Sequence, residues 1–306
     1  MGDGLPIALA GCGRWGRHVL RDLVALGCRV YAVARSEASR ARARDGGAAG
    51  VCAAVEELPE FAGAVVATPT RTHAEVATRL LARGVPVFVE KPLDCDAARA
   101  RGLARTGAGR LFVMDKWRYH PGVAMLAALA RSGELGEVLQ LRTTRVQWGN
   151  PHTDVDCLWT LLPHDLAIGL EVLGTLPAPR FAAAETAGGE PTGLFGVLGE
   201  GPTLLVEVSC RSARHRREIR LHCRGGVALL DDAYAAHVEI VRWPPRGEEA
   251  APERRALPPE MPLFLELQAF VDHLRGGPPP RSSAAEGAAV VEAIAALRRL
   301  AGLRDA

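Results

Sequence analysis

Ile7 to Gly16 reads I-A-L-A-G-C-G-R-W-G, a short apolar run that meets three glycines at the G-x-G-x-x-G spacing and gives way to a helical pattern from Arg17 to Leu26. A buried strand that turns into a helix inside a β-α-β unit has this signature. Each glycine has its own reason. Gly11 permits the tight turn, Gly13 lets a diphosphate approach the backbone, and Gly16 lets the new helix lie close against the strand. The helix N-terminus then offers N–H groups and partial positive charge to phosphate. Gly11, Gly13, Arg14, Trp15 and Gly16 are therefore candidate nucleotide ligands.

The pattern continues as a doubly wound sheet needs. Cys28–Ala34 reads as a second strand and Ser36–Arg44 as the returning helix. The place where an NAD enzyme puts an acid for the ribose 2′-hydroxyl holds Ala34-Arg35-Ser36 instead. An arginine and a hydroxyl suit a 2′-phosphate, so Arg35, Ser36 and Arg40 are predicted to favour NADP(H), with NAD(H) possible. The competing reading makes Arg35 and Arg40 solvated charges at a helix start. Further strands are predicted at Ala62–Ala67, Val85–Val89 and Leu111–Met114, and helices at Thr72–Arg83 and Asp96–Thr106. Thr70 or Thr72 could cap the first of these helices. Pro92 keeps Lys91 out of helical angles, so the lysine projects from a strand's carboxyl end, where open α/β sheets bind ligands.

After about residue 119 the pattern changes. A helix at Gly122–Arg131 and an apolar segment at Leu158–Leu173 are followed by alternating runs at Thr203–Arg211, Arg217–Cys223, Val227–Leu230 and Val238–Val241. Short turns between them imply an antiparallel sheet with helices on one face and, on the other, enough apolar side chains to call for a second subunit. Pro244–Pro259 reads as a loop, and two last helices as Leu263–Leu274 and Ala284–Ala301. The expected fold class is α/β: a Rossmann dinucleotide-binding domain over 1–119, and over 120–306 an α+β domain with an open, mostly antiparallel sheet for substrate binding and oligomerisation.

The chain has 306 residues, 48% of them hydrophobic, enough for two cores, and a formal net charge of only +2. So weak a field argues against nucleic acid and anionic membrane surfaces as partners. The seven cysteines lie singly, without a C-x-x-C pair, which suits reduced thiols in a cytoplasm and excludes a structural zinc; no metal is expected. The early first strand leaves no room for a signal peptide.

Chemistry concentrates in W-T-L-L-P-H-D, residues 159–165, where the helix is expected to kink or start afresh at Pro163 and so expose His164 at a cleft. Alone, a His beside an Asp there is more often a capped, satisfied pair than a catalytic one, and a lone lysine more often a surface residue. G-C-G-R-W-G, A-T-P-T-R-T-H (67–73), V-E-K-P-L (89–93), K-W-R-Y-H-P-G (116–122), W-T-L-L-P-H-D-L-A-I (159–168) and P-L-F-L-E-L-Q-A-F-V-D-H-L (262–274) together resemble the Gfo/Idh/MocA family of NAD(P)-dependent oxidoreductases. The resemblance implies Lys91 and His164 as the catalytic pair, with Thr68, Pro69, Thr70, His73 and Glu90 along the cofactor. His164 would exchange the proton, Lys91 would steady charge on the substrate oxygen, and Asp165 would orient the imidazole or touch substrate. Trp117, Arg118, Tyr119, Trp159 and Thr160 are candidate pocket walls. Thr160 stands where many relatives carry a substrate-binding acid. A sugar-like ketone/alcohol couple, on a nucleotide-linked sugar or a cyclitol, is the expected substrate, with homodimers or homotetramers formed through the second sheet. Reduction of a C=N bond and non-catalytic NAD(P) sensing are the competing readings.

Overall fold

The computed structural model describes residues 4–244 and 251–304. They pack as two compact units, one of Met1–Lys116 with Met261–Val291 and the other of Trp117–Glu260 with Glu292–Ala306.

The first unit opens with β1 (Pro6–Ala10), α1 (Gly16–Ala25), β2 (Arg29–Val33), α2 (Glu37–Asp45), β3 (Gly50–Cys52), β4 (Gly63–Val66), α3 (His73–Leu81), β5 (Val87–Glu90), α4 (Ala97–Thr106) and β6 (Leu111–Met114). Its six strands lie in the order β3-β2-β1-β4-β5-β6, all parallel. The order reverses between β1 and β4, and a crevice for a ligand opens there, beyond the carboxyl ends of the strands. β4, β5 and β6 are buried at every residue, as strands covered on both faces must be. Asp96 and Ser36 N-cap α4 and α2 with their side chains, whereas no side chain caps α3 at Thr72.

The second unit contains α5 (Pro121–Ser132), β7 (Val138–Trp148), α6 (Cys157–Leu173), β8 (Pro179–Ala187), β9 (Glu190–Leu198), β10 (Thr203–Ser209), β11 (Arg211–Cys223), β12 (Gly226–Leu230), β13 (His237–Arg242) and β14 (Glu253–Ala256). The sheet runs β14-β13-β12-β11-β7-β10-β9-β8. Only β7 and β10 pair in parallel; the other neighbours are antiparallel. The α6 helix packs on β7, β9 and β10 and against α5. The opposite face mixes charge with apolar surface. Glu218, only 3% exposed, takes Arg216 and Arg220, Glu207 takes Arg142, and the exposed Phe181 and Phe195 stand toward the β8 side.

The closing helices are α7 (Pro262–Leu274) and α8 (Ala284–Leu300). The first of them corrects the sequence boundary at 119/120, because α7 packs against α1 and returns to the first unit. Phe270 stacks on Phe88 at 5.0 Å, and Leu267 and Val271 join the same core as Leu9 and Leu23. That apolar stripe seals the parallel sheet, so the chain crosses back for burial. Three further expectations need correcting. Part of the proposed loop at Pro244–Pro259 lies outside the described residues, and the rest includes β14. The sequence pattern marks no strand at β3, β7, β8 or β9. Finally, α6 runs unbroken through Pro163: 14 of its 17 residues are buried, and packing outweighs the one backbone bond a proline forfeits.

Candidate active site

In the first unit, the loop from β1 to α1 is tight at two glycines and open at the third. A Cβ on Gly11 (φ +96°) would sit 2.6 Å from the carbonyl oxygen of Ala67, and a Cβ on Gly16 would collide with the carbonyl oxygen of Gly11. A Cβ on Gly13 would meet nothing within 4 Å. The first two are close backbone contacts and the third is a cradle with room in front of it. At the head of α1, Trp15 provides no side-chain cap and the first turn holds no acid, which leaves the helix's positive end to an anion. Arg42 steadies the loop from behind, its Nε donating to Cys12 O at 3.1 Å; no spacing rule points to it. These features fit a dinucleotide diphosphate.

Arg35 is exposed just past β2. Ser36 is committed to α2, where it accepts from Ser39 N at 3.2 Å. Arg40 donates to Ala34 O at 3.2 Å and stands 3.9 Å from Glu37. Of the three, Arg35 is the one with no partner among the described residues.

At the ends of β4 and β5 the predicted ligands divide. Thr68 is half-buried and Pro69 exposed, but Thr70 and His73 are each 2% exposed. The His73 ring bridges two walls of the crevice, with Nδ1 2.8 Å from Pro92 O and Nε2 3.0 Å from Thr68 O. Burial pushes its pKa down, opposed by those two carbonyls and by Glu90. His73 therefore ties the loops together and has no nitrogen left for a cofactor. Glu90, 7% exposed, accepts from Trp15 Nε1 and from the backbone N–H of Lys91 at 3.2 Å. Lys91 follows directly on β5, half-buried, and begins a cis peptide to Pro92. The Lys116 ammonium lies 4.6 Å from the Trp15 ring centroid.

In the second unit, His164 is half-buried on α6. Asp165 is 1% exposed and its Oδ2 accepts from Arg145 Nε at 2.6 Å. That bond takes the carboxylate away from the role of orienting His164. The Arg145 guanidinium also lies 4.5 Å from the Trp117 ring centroid, and Trp117 stacks on His120 at 5.0 Å. His120 Nδ1 accepts from Gly122 N at 3.0 Å, which leaves Nε2–H to donate to Ala233 O at 2.8 Å. Arg145 lies in the unforeseen β7, and an inward arginine inside a strand carries no sequence signature.

The remaining predicted pocket residues are buried and engaged within the protein. Trp159 is 1% exposed, with the Arg298 guanidinium 5.7 Å from its ring centroid. Thr160 is buried and donates to Asn150 Oδ1 at 2.9 Å, which fastens the loop between β7 and α6. Arg118 pairs with Glu171 at 3.0 Å and Tyr119 is buried. Among the described residues, no helix is long and apolar enough to cross a membrane, and no three His, Cys, Asp or Glu side chains are grouped to hold a metal.

A parallel six-stranded sheet with a glycine loop at its switch point, followed by a separate open-sheet unit, defines the class of NAD-binding oxidoreductases. Residues 5–110 match the family model described as an oxidoreductase family with an NAD-binding Rossmann fold, GFO_IDH_MocA. An inositol 2-dehydrogenase of Pseudomonas fluorescens is 29% identical over 318 residues, covering 94% of this chain and 92% of that protein. One of Streptomyces avermitilis is 28% identical over 263 residues, 75% of this chain and 73% of that protein. Two solved structures share the fold. A UDP-N-acetylglucosamine 3-dehydrogenase, GnnA from Acidithiobacillus ferrooxidans, has a TM-score of 0.83 at 22% identity, and a levoglucosan dehydrogenase with NADH and levoglucosan has 0.88 at 15%. Each covers 98% of this chain and is itself covered to 98%. Over residues 5–110 the chain is similar to the Gfo/Idh/MocA family of NAD(P)-dependent oxidoreductases.

Proposed function

We propose that the chain transfers a hydride between NADP(H) and a sugar-like ketone/alcohol, such as a cyclitol or a nucleotide-linked sugar. The observation that carries this reading is Lys91 at the carboxyl end of β5, beside a Glu90 whose carboxylate is fixed by Trp15 and the Lys91 N–H. The names of the relatives support a polyol or sugar substrate. The nicotinamide supplies hydride transfer when bound. The protein's own part is to hold the substrate and move one proton at the oxygen of the reacting carbon. His164 gives or takes that proton, and Lys91 donates a hydrogen bond to the same oxygen as charge develops there. Asp165 contributes indirectly, through Arg145. Seven thiols without a disulfide suit a reducing compartment, and we place the enzyme in the cytoplasm. We also propose a homodimer or homotetramer formed through the second sheet, which sedimentation would test.

The test is NADPH oxidation with a panel of keto-sugars and cyclic imines, beside NADP+ reduction with polyols, using wild type, Lys91→Ala and His164→Ala. Either replacement lowers kcat by about two to four orders of magnitude while NADPH binding persists. Near wild-type turnover in both variants removes the assignment, and NADPH binding without turnover of any substrate makes the chain a sensor.

A further inference from the structure

The arginines of the central strands β7 and β11 differ between the two faces of the sheet. On the open face of the sheet they are neutralised: Arg216 and Arg220 reach Glu218, and Arg142 reaches Glu207. On the other face, Arg217 has no carboxylate within ion-pair distance among the described residues. Arg217 is held entirely by neutral acceptors. Its Nη1 donates to Val146 O at 3.0 Å and to Arg216 O at 2.9 Å, and its Nη2 donates to Gln147 Oε1.

The position of Arg217 connects it with His164. It pairs across the ladder with Arg145, so the two side chains share a face of the sheet. Arg145 is bound to Asp165, the residue next to His164. Burial and the neighbouring Arg145 press the Arg217 pKa down to about 10, opposed by Asp165 and Asp232. A half-buried cation beside another cation is costly unless an anion completes the arrangement. The Arg211 guanidinium stands 6.0 Å from the ring centroid of the exposed Trp148, at the adjoining end of β7.

We infer that the substrate handled by His164 carries an anionic group, a phosphate or a carboxylate, and that Arg217 receives it. A planar guanidinium already oriented by three neutral acceptors is prepared for oxyanion oxygens. This deepens the proposed function, on which it rests for the identity of the reacting site. Uncharged cyclitols would then be poor substrates.

The experiment titrates the full chain, with NADPH present, by calorimetry. The probes are glucose 6-phosphate, glucuronate and UDP-glucose, set against glucose and myo-inositol. Wild type is expected to bind at least one anionic probe more tightly than the uncharged ones. Arg217→Met weakens that probe by about tenfold to a hundredfold, and Arg217→Lys recovers part of the loss. The probe that responds identifies the source as phosphate ester, carboxylate or diphosphate. Charged and uncharged probes binding alike, or a folded Arg217→Met with an intact preference, overturns the inference. Should Arg217→Met fail to fold, Arg217→Gln, set against Arg217→Lys, carries the same comparison. A chain that binds anions through Arg217 yet oxidises nothing keeps this inference and loses the dehydrogenase reading. A chain that oxidises uncharged polyols without regard to Arg217 does the reverse.

Discussion

Arg145 and Asp165 form a buried ion pair, Nε to Oδ2 at 2.6 Å, with their side chains 4% and 1% exposed. Two charges so far from water depend on each other, and removing either leaves the other uncompensated. Asp165→Leu should therefore lower the unfolding free energy by about 3–5 kcal/mol. In Arg145→Met/Asp165→Leu no charge is stranded, and most of the loss should return. Urea denaturation of the two single variants and the double variant tests this; a double variant as unstable as the sum of the singles would mean the pair is not energetically coupled.

The glycine loop allows stability and cofactor binding to be separated. Gly16→Ala drives a methyl into the Gly11 carbonyl and should destabilise the first unit. Gly13→Ala meets no protein atom within 4 Å and should leave the thermal midpoint close to wild type. The same methyl would occupy space reserved for the diphosphate, so NADPH affinity should fall about tenfold or more. Thermal unfolding and fluorescence titration of both variants decide the matter; a Gly13→Ala protein that binds NADPH normally would remove the cradle from the cofactor site.

These glycines also mark how far the sequence could be read. The β-α-β rhythm of the first unit was legible because its strands are continuous apolar runs separated by glycine turns, and the glycine loop after β1 and the place of Lys91 after β5 followed from it. Legibility failed where tertiary packing decides. Pro163 signals a helix break, yet α6 is buried along its length and stays whole. β7 alternates weakly because its inward side carries Thr143 and Arg145 as well as Leu141. Asp165 looks like a partner for its neighbour His164, but the residue that claims it lies 20 positions away on a strand. His73 and Thr160 likewise read as ligands by type, and only their burial and bonding show them holding loops in place.

Glu266 on α7 gives the first unit a pH-dependent weakness. Its carboxyl is 1% exposed, its Oε2 has no hydrogen-bond partner, and Glu90 and Asp115 lie near it with Lys116. Burial, and then those two carboxylates, push its pKa well above the usual value of 4.5, against the pull of Lys116. The folded state thus keeps a proton that the unfolded chain releases above about pH 4.3. Stability from this group is complete below that pH and declines as pH rises toward the folded pKa, by up to about 1.4 kcal/mol per pH unit. Glu266→Gln removes the titration at nearly constant volume. Its midpoint relative to wild type should rise as pH increases above the ordinary carboxyl range and level off once the folded pKa is passed; a difference that never changes with pH would show that Glu266 does not titrate as described.

Cofactor choice turns on the residues just past β2. Ser36 is occupied in capping α2, and Arg40 is partly spent on Ala34 O and Glu37. Glu37 itself faces Arg44 as well, at 3.1 Å, so the acid that follows Ser36 is engaged with arginines. Arg35, exposed and without a partner among the described residues, is left to meet a 2′-phosphate. A single charge-assisted contact of this kind is worth about tenfold in affinity. Arg35→Ala should therefore reduce the ratio of NADPH to NADH affinity by about that factor. Arg35→Asp should move the ratio further, since a carboxylate repels the phosphate and accepts from the ribose hydroxyl. Parallel titrations with NADPH and NADH measure the ratio directly. A ratio that is already one in wild type, or that ignores both substitutions, would assign the arginine to the solvated start of α2.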